Sequence, residues 1–245
     1  MPKMLDPTMD IHQLAGTGTF SFSAIRPDEL EATEYTLATV VVDETGSVYG
    51  YEDQLLEMLK AVVQACKKSP RAENLMFRAV AFNDVTREIH GFKPLDNVDQ
   101  NRYAPLVPDR LTALYDATYE AVGATSQYGA NLVNYDLDIN GIIFIITDGY
   151  DNQSKLKAEN VAQKVKEARK NEDMGPITTI LIGINAKEYK RQLEKFKTKA
   201  ELTQYIDAGD VTPESLAKLG AFISKSISCQ SQALGSGGRS QLLSF

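Results

Sequence analysis

The chain of 245 residues has no tryptophan and only two cysteines and two histidines. Cys66 and Cys229 stand far apart, and Cys66 falls inside a helical pattern, so the expectation is two unpaired thiols in a reducing compartment. His12 and His90 share no ligand spacing with a cysteine, which argues against a zinc site. No run of 18 apolar residues occurs, and the opening MPKMLDPTMD lacks the apolar core of a leader. A soluble, cytoplasmic protein is expected. There is also no run of five like charges and no basic stripe. With a net charge of −7, the chain argues against nucleic acid or an anionic membrane as partner and is compatible with binding a cation. No G-x-G-x-x-G follows the first strand pattern and no Walker A sequence exists, so dinucleotide and P-loop chemistry lack their phosphate cradle.

What is present is an apolar fraction of 43%, enough for a sizeable core. Residues 1–33 read as an irregular N-terminal arm, with a Gly16-Thr17-Gly18-Thr19 hinge and an alternating Phe20-Ser21-Phe22-Ser23 able to add a short edge strand. From residue 34 strands and helices alternate. Strands are expected at 35–43, 75–82, 86–92, 141–147, 177–184 and 204–207, the second and third joined as a hairpin through Asn83-Asp84. Helices are expected at 51–68, 112–122, 157–170, 188–201 and from 213 to about 229, the last opened by Thr212 as N-cap and Pro213 at the first position. Residues 123–140 are polar and glycine-containing, with no assigned element. Strands separated by helices of 10–18 residues predict a doubly wound three-layer α/β sandwich over 34–230, mostly parallel with one antiparallel edge strand. Residues 231–245 have linker composition and read as a flexible tail, whose apolar Leu242, Leu243 and Phe245 either stay free or dock.

The most apolar strands end in acids. Ala38-Thr-Val-Val-Val-Asp43 is followed by Thr45 and Ser47, and Ile142-Ile-Phe-Ile-Ile146 by Thr147-Asp148-Gly149. In an extended segment residues 43, 45 and 47 point the same way. Open α/β sheets bind ligands beyond the carboxyl ends of strands at the switch point. If these two central strands are neighbours, both carboxylates face one crevice, with hydroxyls beside them.

Asp43-Glu-Thr45-Gly-Ser47 resembles the D-x-S-x-S signature of the von Willebrand factor A (VWA) domain. Leu111-Thr112-Ala113-Leu114-Tyr115-Asp116-Ala117 and Ile146-Thr147-Asp148-Gly149 resemble the second and third parts of that family's metal-ion-dependent adhesion site (MIDAS). Order and spacing match over residues 34–228. The resemblance implies a Rossmann-like VWA fold and a non-enzymatic protein-binding module. By that resemblance Asp43, Thr45, Ser47, Thr112 and Asp148 are the candidate metal ligands, some direct and some through water, with a partner protein's Asp or Glu carboxylate completing the coordination as in the family. An all-oxygen set suits Mg2+ or Mn2+, with Ca2+ a further hard cation of the same preference. Asp151 and Asn152 are candidates for supporting contacts, and Thr112 also fits a helix N-cap. Two departures stand out: Thr45 replaces the usual first serine, and Asp109-Arg110 stands where the family has a glycine pair. Intracellular relatives work beside an AAA+ ATPase or a kinase and phosphatase, an analogy that names no partner. The alternatives are a VWA scaffold with an idle metal site, binding partners by other surfaces, and a haloacid-dehalogenase-like phosphatase. The latter needs a second acid where Thr45 stands and so lacks its general acid.

Overall fold

A computed structural model of the chain describes residues 7–16, 19–170, 174–239 and 241–245. Strand β1 (Met9–Gln13) and β2 (Ser21–Ile25) form an antiparallel hairpin. β3 (Glu34–Asp43), α1 (Glu52–Lys67), β4 (Leu75–Phe82) and β5 (Thr86–Pro94) follow. After a loop come α2 (Leu114–Val133), β6 (Asp138–Thr147), α3 (Ala158–Arg169) and β7 (Ile177–Gly183). The chain closes with α4 (Lys190–Lys199), β8 (Gln204–Asp207) and α5 (Pro213–Gly235).

The eight strands form one sheet in the order β1-β2-β5-β4-β3-β6-β7-β8. β4, β3, β6, β7 and β8 are parallel. β5 turns antiparallel to β4 through the hairpin expected at Asn83-Asp84, closed by Asn83 N to Val85 O, and this side of the sheet is continued by the β1–β2 hairpin. The doubly wound α/β sandwich anticipated from the strand–helix alternation is therefore present. Both faces of the central strands are covered, which is why they are apolar without alternation. Val41, Ile143 and Ile145 face the layer of α2, α3 and α4. Val40, Val42, Phe144 and Ile146 face the layer of α1 and α5. β3 and β6 pair along their length, Val42 opposite Ile146. From β3 the chain crosses to β4 on one side, and from β6 to β7 on the other, so the switch point lies between Asp43 and Asp148.

Three expectations need correction. First, the N-terminal arm is not irregular: the strand expected at 20–23 is present as β2, parallel to β5 with Ala24 opposite Phe92, but the edge of the sheet is the unforeseen β1. The expected hinge at 16–19 falls partly outside the described residues. Second, α2 runs 20 residues, through much of the unassigned 123–140 stretch. A Cβ on Gly123 would lie 2.7 Å from Leu14, so a residue that reads as a helix breaker instead admits the neighbouring chain. Third, α5 continues past Cys229 to Gly235, and Leu243 and Phe245 pack against the core. Thr212 caps α5 as expected, its hydroxyl accepting from Ser215 N at 3.1 Å. Among the described residues no helix is long and apolar enough to cross a membrane. Cys66 and Cys229 are unpaired.

The hairpin is held by a close approach. A Cβ on Gly91 would sit 2.1 Å from the Ser23 carbonyl oxygen. Gly91→Ala is therefore expected to push β2 off β5 and to cost about 2–3 kcal/mol, in the range of overpacking. Limited proteolysis should then cut within the first 25 residues before the rest of the domain, and an unchanged digestion pattern would refute this.

Candidate metal centre

The centre starts where β3 runs out. Asp43 is fully buried, and its two oxygens are spoken for by the protein: Oδ1 accepts from Thr45 N at 2.8 Å and Oδ2 from Thr147 Oγ1 at 2.6 Å. The extended alignment expected for 43–47 is not what brings the hydroxyls together. The strand stops at Asp43, and Gly46–Val48 forms a 3-10 turn. That turn sets Thr45 Oγ1 and Ser47 Oγ 2.9 Å apart. Ser47 Oγ then donates to Asp148 Oδ1 at 2.7 Å, so the loop after β3 touches the acid after β6.

Thr112 lies on the other side of the turn after β6. Its backbone is read twice by Asn152: Thr112 N donates to Asn152 Oδ1 at 2.8 Å, and Thr112 O accepts from Asn152 N at 3.0 Å. A Cβ on Gly149 would lie 3.9 Å from Thr112 Oγ1, so that hydroxyl faces the Thr147-Asp148-Gly149 turn. Asn152 thus holds Thr112 in place. Asp151 does a different job, accepting from Tyr115 N at 3.2 Å at the start of α2, while Ser154 Oγ accepts from Asp116 N at 3.0 Å. Thr112 is not the N-cap that its sequence position suggested: α2 begins at Leu114, and the loop at 151–154 caps it from outside.

The departures at 109–110 are accommodated. Arg110 takes a positive φ of 68°, the conformation a glycine adopts freely, and its carbonyl accepts from Gly46 N at 3.3 Å. Its guanidinium turns away from the acids of the centre, to Asp84 at 3.0 Å and Asp109 at 3.6 Å. Arg87 is likewise tied, to the buried Glu44 at 2.5 Å. Neither arginine therefore pairs with Asp43 or Asp148. Burial and then the neighbouring Asp148 charge push the Asp43 carboxyl up to about 7.

The donors are two carboxylates and three hydroxyls, all hard oxygens, which fits an alkaline-earth ion or Mn2+ and not a thiophilic metal. Among the described residues no three His, Cys, Asp or Glu side chains group into a site, so metal binding here must use the hydroxyls. One participant was missed by sequence reasoning. Tyr51, just ahead of α1, donates its hydroxyl to Asp148 Oδ2, and burial followed by Asp148 raises its pKa. Nothing in its sequence context marks it, because it reaches Asp148 across 97 positions of chain.

No protein-family model matches the sequence, and no curated protein matches it. Solved structures do. The PilB minor pilin from Streptococcus sanguinis aligns over 88% of this chain and 66% of its own, at 16% identity and a TM-score of 0.59. The pilus adhesin SpaC from Lactobacillus rhamnosus GG, in an open conformation, aligns over 82% of this chain and 31% of its own, at 12% identity and a TM-score of 0.56. Proximal thread matrix protein 1 from the mussel byssus aligns over 80% of this chain and 46% of its own, at 17% identity and a TM-score of 0.52. This chain thus spans two thirds or less of each of those chains. At such identities the likeness is one of fold.

Proposed function

We propose that this protein is a non-enzymatic, divalent-metal-dependent protein-binding module of the VWA type. Asp43, Thr45, Ser47, Thr112 and Asp148 hold the metal, directly or through water. The ion, when bound, supplies positive charge and an open coordination position for an Asp or Glu carboxylate of a partner protein. The observation that carries this reading is the Ser47–Asp148 contact, which brings the hydroxyls after β3 against the acid after β6 at the switch point. Asn152 fixes Thr112, and Thr147 and Thr45 N orient Asp43, so the set is organised by the fold and not by a partner. The fold likeness to a pilus adhesin and a minor pilin is compatible with such a module and identifies no partner. Two unpaired cysteines accord with work inside a cytoplasmic multiprotein assembly.

The surroundings also suit a protein partner. Of the exposed large apolar side chains, Tyr49 (80% exposed), Val85, Val107, Leu111 and Tyr150 all lie on loops at this end of the sheet. Such side chains around a charged centre exclude water and strengthen the contact they surround. Arg87 and Arg110 are tied to acids, so neither competes with the ion for a partner's carboxylate.

The test is thermal unfolding in Mg2+, Mn2+, Ca2+ or chelator. Saturation at a hundredfold over Kd stabilises by about 2.7 kcal/mol, a rise of about 5–11 °C for a chain of this size. Asp148→Ala should abolish the rise. The idle-site reading has one observation in its favour: Tyr51 and Ser47 already donate to both Asp148 oxygens. It requires that no metal shifts the midpoint and that partner capture is equal in Mg2+ and chelator.

A further inference from the structure

Away from the metal centre, the last residues occupy a groove between α5 and the edge strand β8. Gln204 Nε2 donates to Leu243 O at 3.0 Å, and Gln230 Nε2 to Gln241 O at 3.4 Å. Carbonyls two residues apart on an extended segment point the same way, so two glutamines read one edge of the chain. The Phe245 ring meets Phe222 edge-on at 5.7 Å, with Lys218 Nζ 4.1 Å from its centroid. The groove is therefore a peptide slot, with amides for the backbone and an apolar seat for an aromatic side chain.

The fit of the chain's own tail is incomplete. Gln204 Oε1, Gln230 Oε1 and Ser226 Oγ are buried and have no hydrogen-bond partner among the described residues. Gln230 is 1% exposed. Each side-chain amide can pair with both the N–H and the C=O of an extended strand, yet the tail delivers only carbonyls. The Gln230 bond, at 3.4 Å, is long for an N–H···O contact. The cause is the tether. α5 ends in a turn closed by Gly237 N to Leu234 O and Gly238 N to Ala233 O. Only positions 239 and 240 then lie between that turn and Gln241. A tail arriving from another molecule carries no such restraint and is free to settle in the register that also supplies N–H groups.

We propose that this groove receives residues 241–245 of a second copy of the chain, the docked tail being its intramolecular substitute. The occupant follows from what the slot holds: it already takes Leu243 and Phe245, and the Gly-Ser-Gly-Gly joint at 235–238 is the kind of hinge through which elements exchange between protomers.

Sedimentation of the full chain from low-micromolar to sub-millimolar concentration should show a reversible dimer. Leu243→Ser with Phe245→Ser, both at partly exposed positions outside the central core, should weaken it by about a hundredfold. The free peptide spanning residues 239–245 should compete the dimer apart. A chain that stays monomeric throughout overturns the proposal, as does a dimer indifferent to the double substitution. Peptide binding to a strictly monomeric chain also overturns it, and would assign the slot to a foreign segment. None of these readouts depends on the metal centre.

Discussion

Asp43→Asn is expected to stabilise the metal-free protein at neutral and alkaline pH and to remove its response to metal. The Asp43 carboxyl is pushed up to about 7 from an ordinary 3.8. Between those values the folded protein holds a proton that the unfolded chain has released. Metal-free stability therefore falls as pH rises from about 4 to 7 and levels off above. The cumulative cost above pH 7 is about 4 kcal/mol. Asparagine keeps the geometry: its Oδ1 can accept from Thr45 N, and its amide can donate to Thr147 Oγ1, whose hydroxyl also lies 3.2 Å from Gly149 O. In chelator at pH 8 the variant should melt about 8–16 °C above wild type, and the two should converge toward pH 4. In Mg2+ only wild type should gain. Metal affinity should drop about tenfold per pH unit below 7, because Asp43 must lose its proton to bind. A variant that melts lower than wild type in chelator at pH 8 would show that Asp43 is not charged and uncompensated there. A variant that retains the metal shift would remove Asp43 from the ligand set.

Arg78→Met is expected to be among the most destabilising single substitutions outside the centre. Arg78 is fully buried in β4 and forks to Glu120 of α2 at 2.5 and 3.2 Å and to Glu88 of β5 at 2.8 Å. Its guanidinium also lies 5.6 Å from the Phe92 centroid and 6.0 Å from that of Phe22. Glu88 in turn accepts from Ser23 Oγ at 2.7 Å, so one cation joins the sheet, α2 and the N-terminal hairpin. Removing it strands Glu120, which is 1% exposed. Breaking a buried pair from one side costs about 3–5 kcal/mol, a midpoint loss of about 6–20 °C. Arg78→Met combined with Glu120→Leu should recover much of that, because the uncompensated charge is gone. If the double variant is no more stable than the single one, the penalty lies in lost packing and not in the orphaned acid.

Much of this molecule was readable in one dimension. Strands 75–82 and 204–207 fall on the residues expected, and the two most apolar strands do lie side by side, as burial on both faces requires of central strands. What was misread had its cause elsewhere in the chain. Gly123 looked like an interruption because the side chain filling the space beside it, Leu14, is more than a hundred residues away. Residues 9–13 looked irregular because an edge strand paired on one side has little apolar alternation to show.

The same division holds at the centre. The identities and order of Asp43, Thr45, Ser47, Thr112 and Asp148 are properties of the sequence, because hard-oxygen donors and strand-end acids are visible as residue types. Their meeting is a property of the tertiary structure. The 3-10 turn at 46–48, the Asn152 clamp on Thr112 and the Tyr51 hydroxyl on Asp148 all depend on contacts between distant segments. So do the rise in the Asp43 pKa and the turning of Arg110 toward Asp84, since burial and charge pairing are set by what the fold packs around a side chain. Residue type alone carries neither.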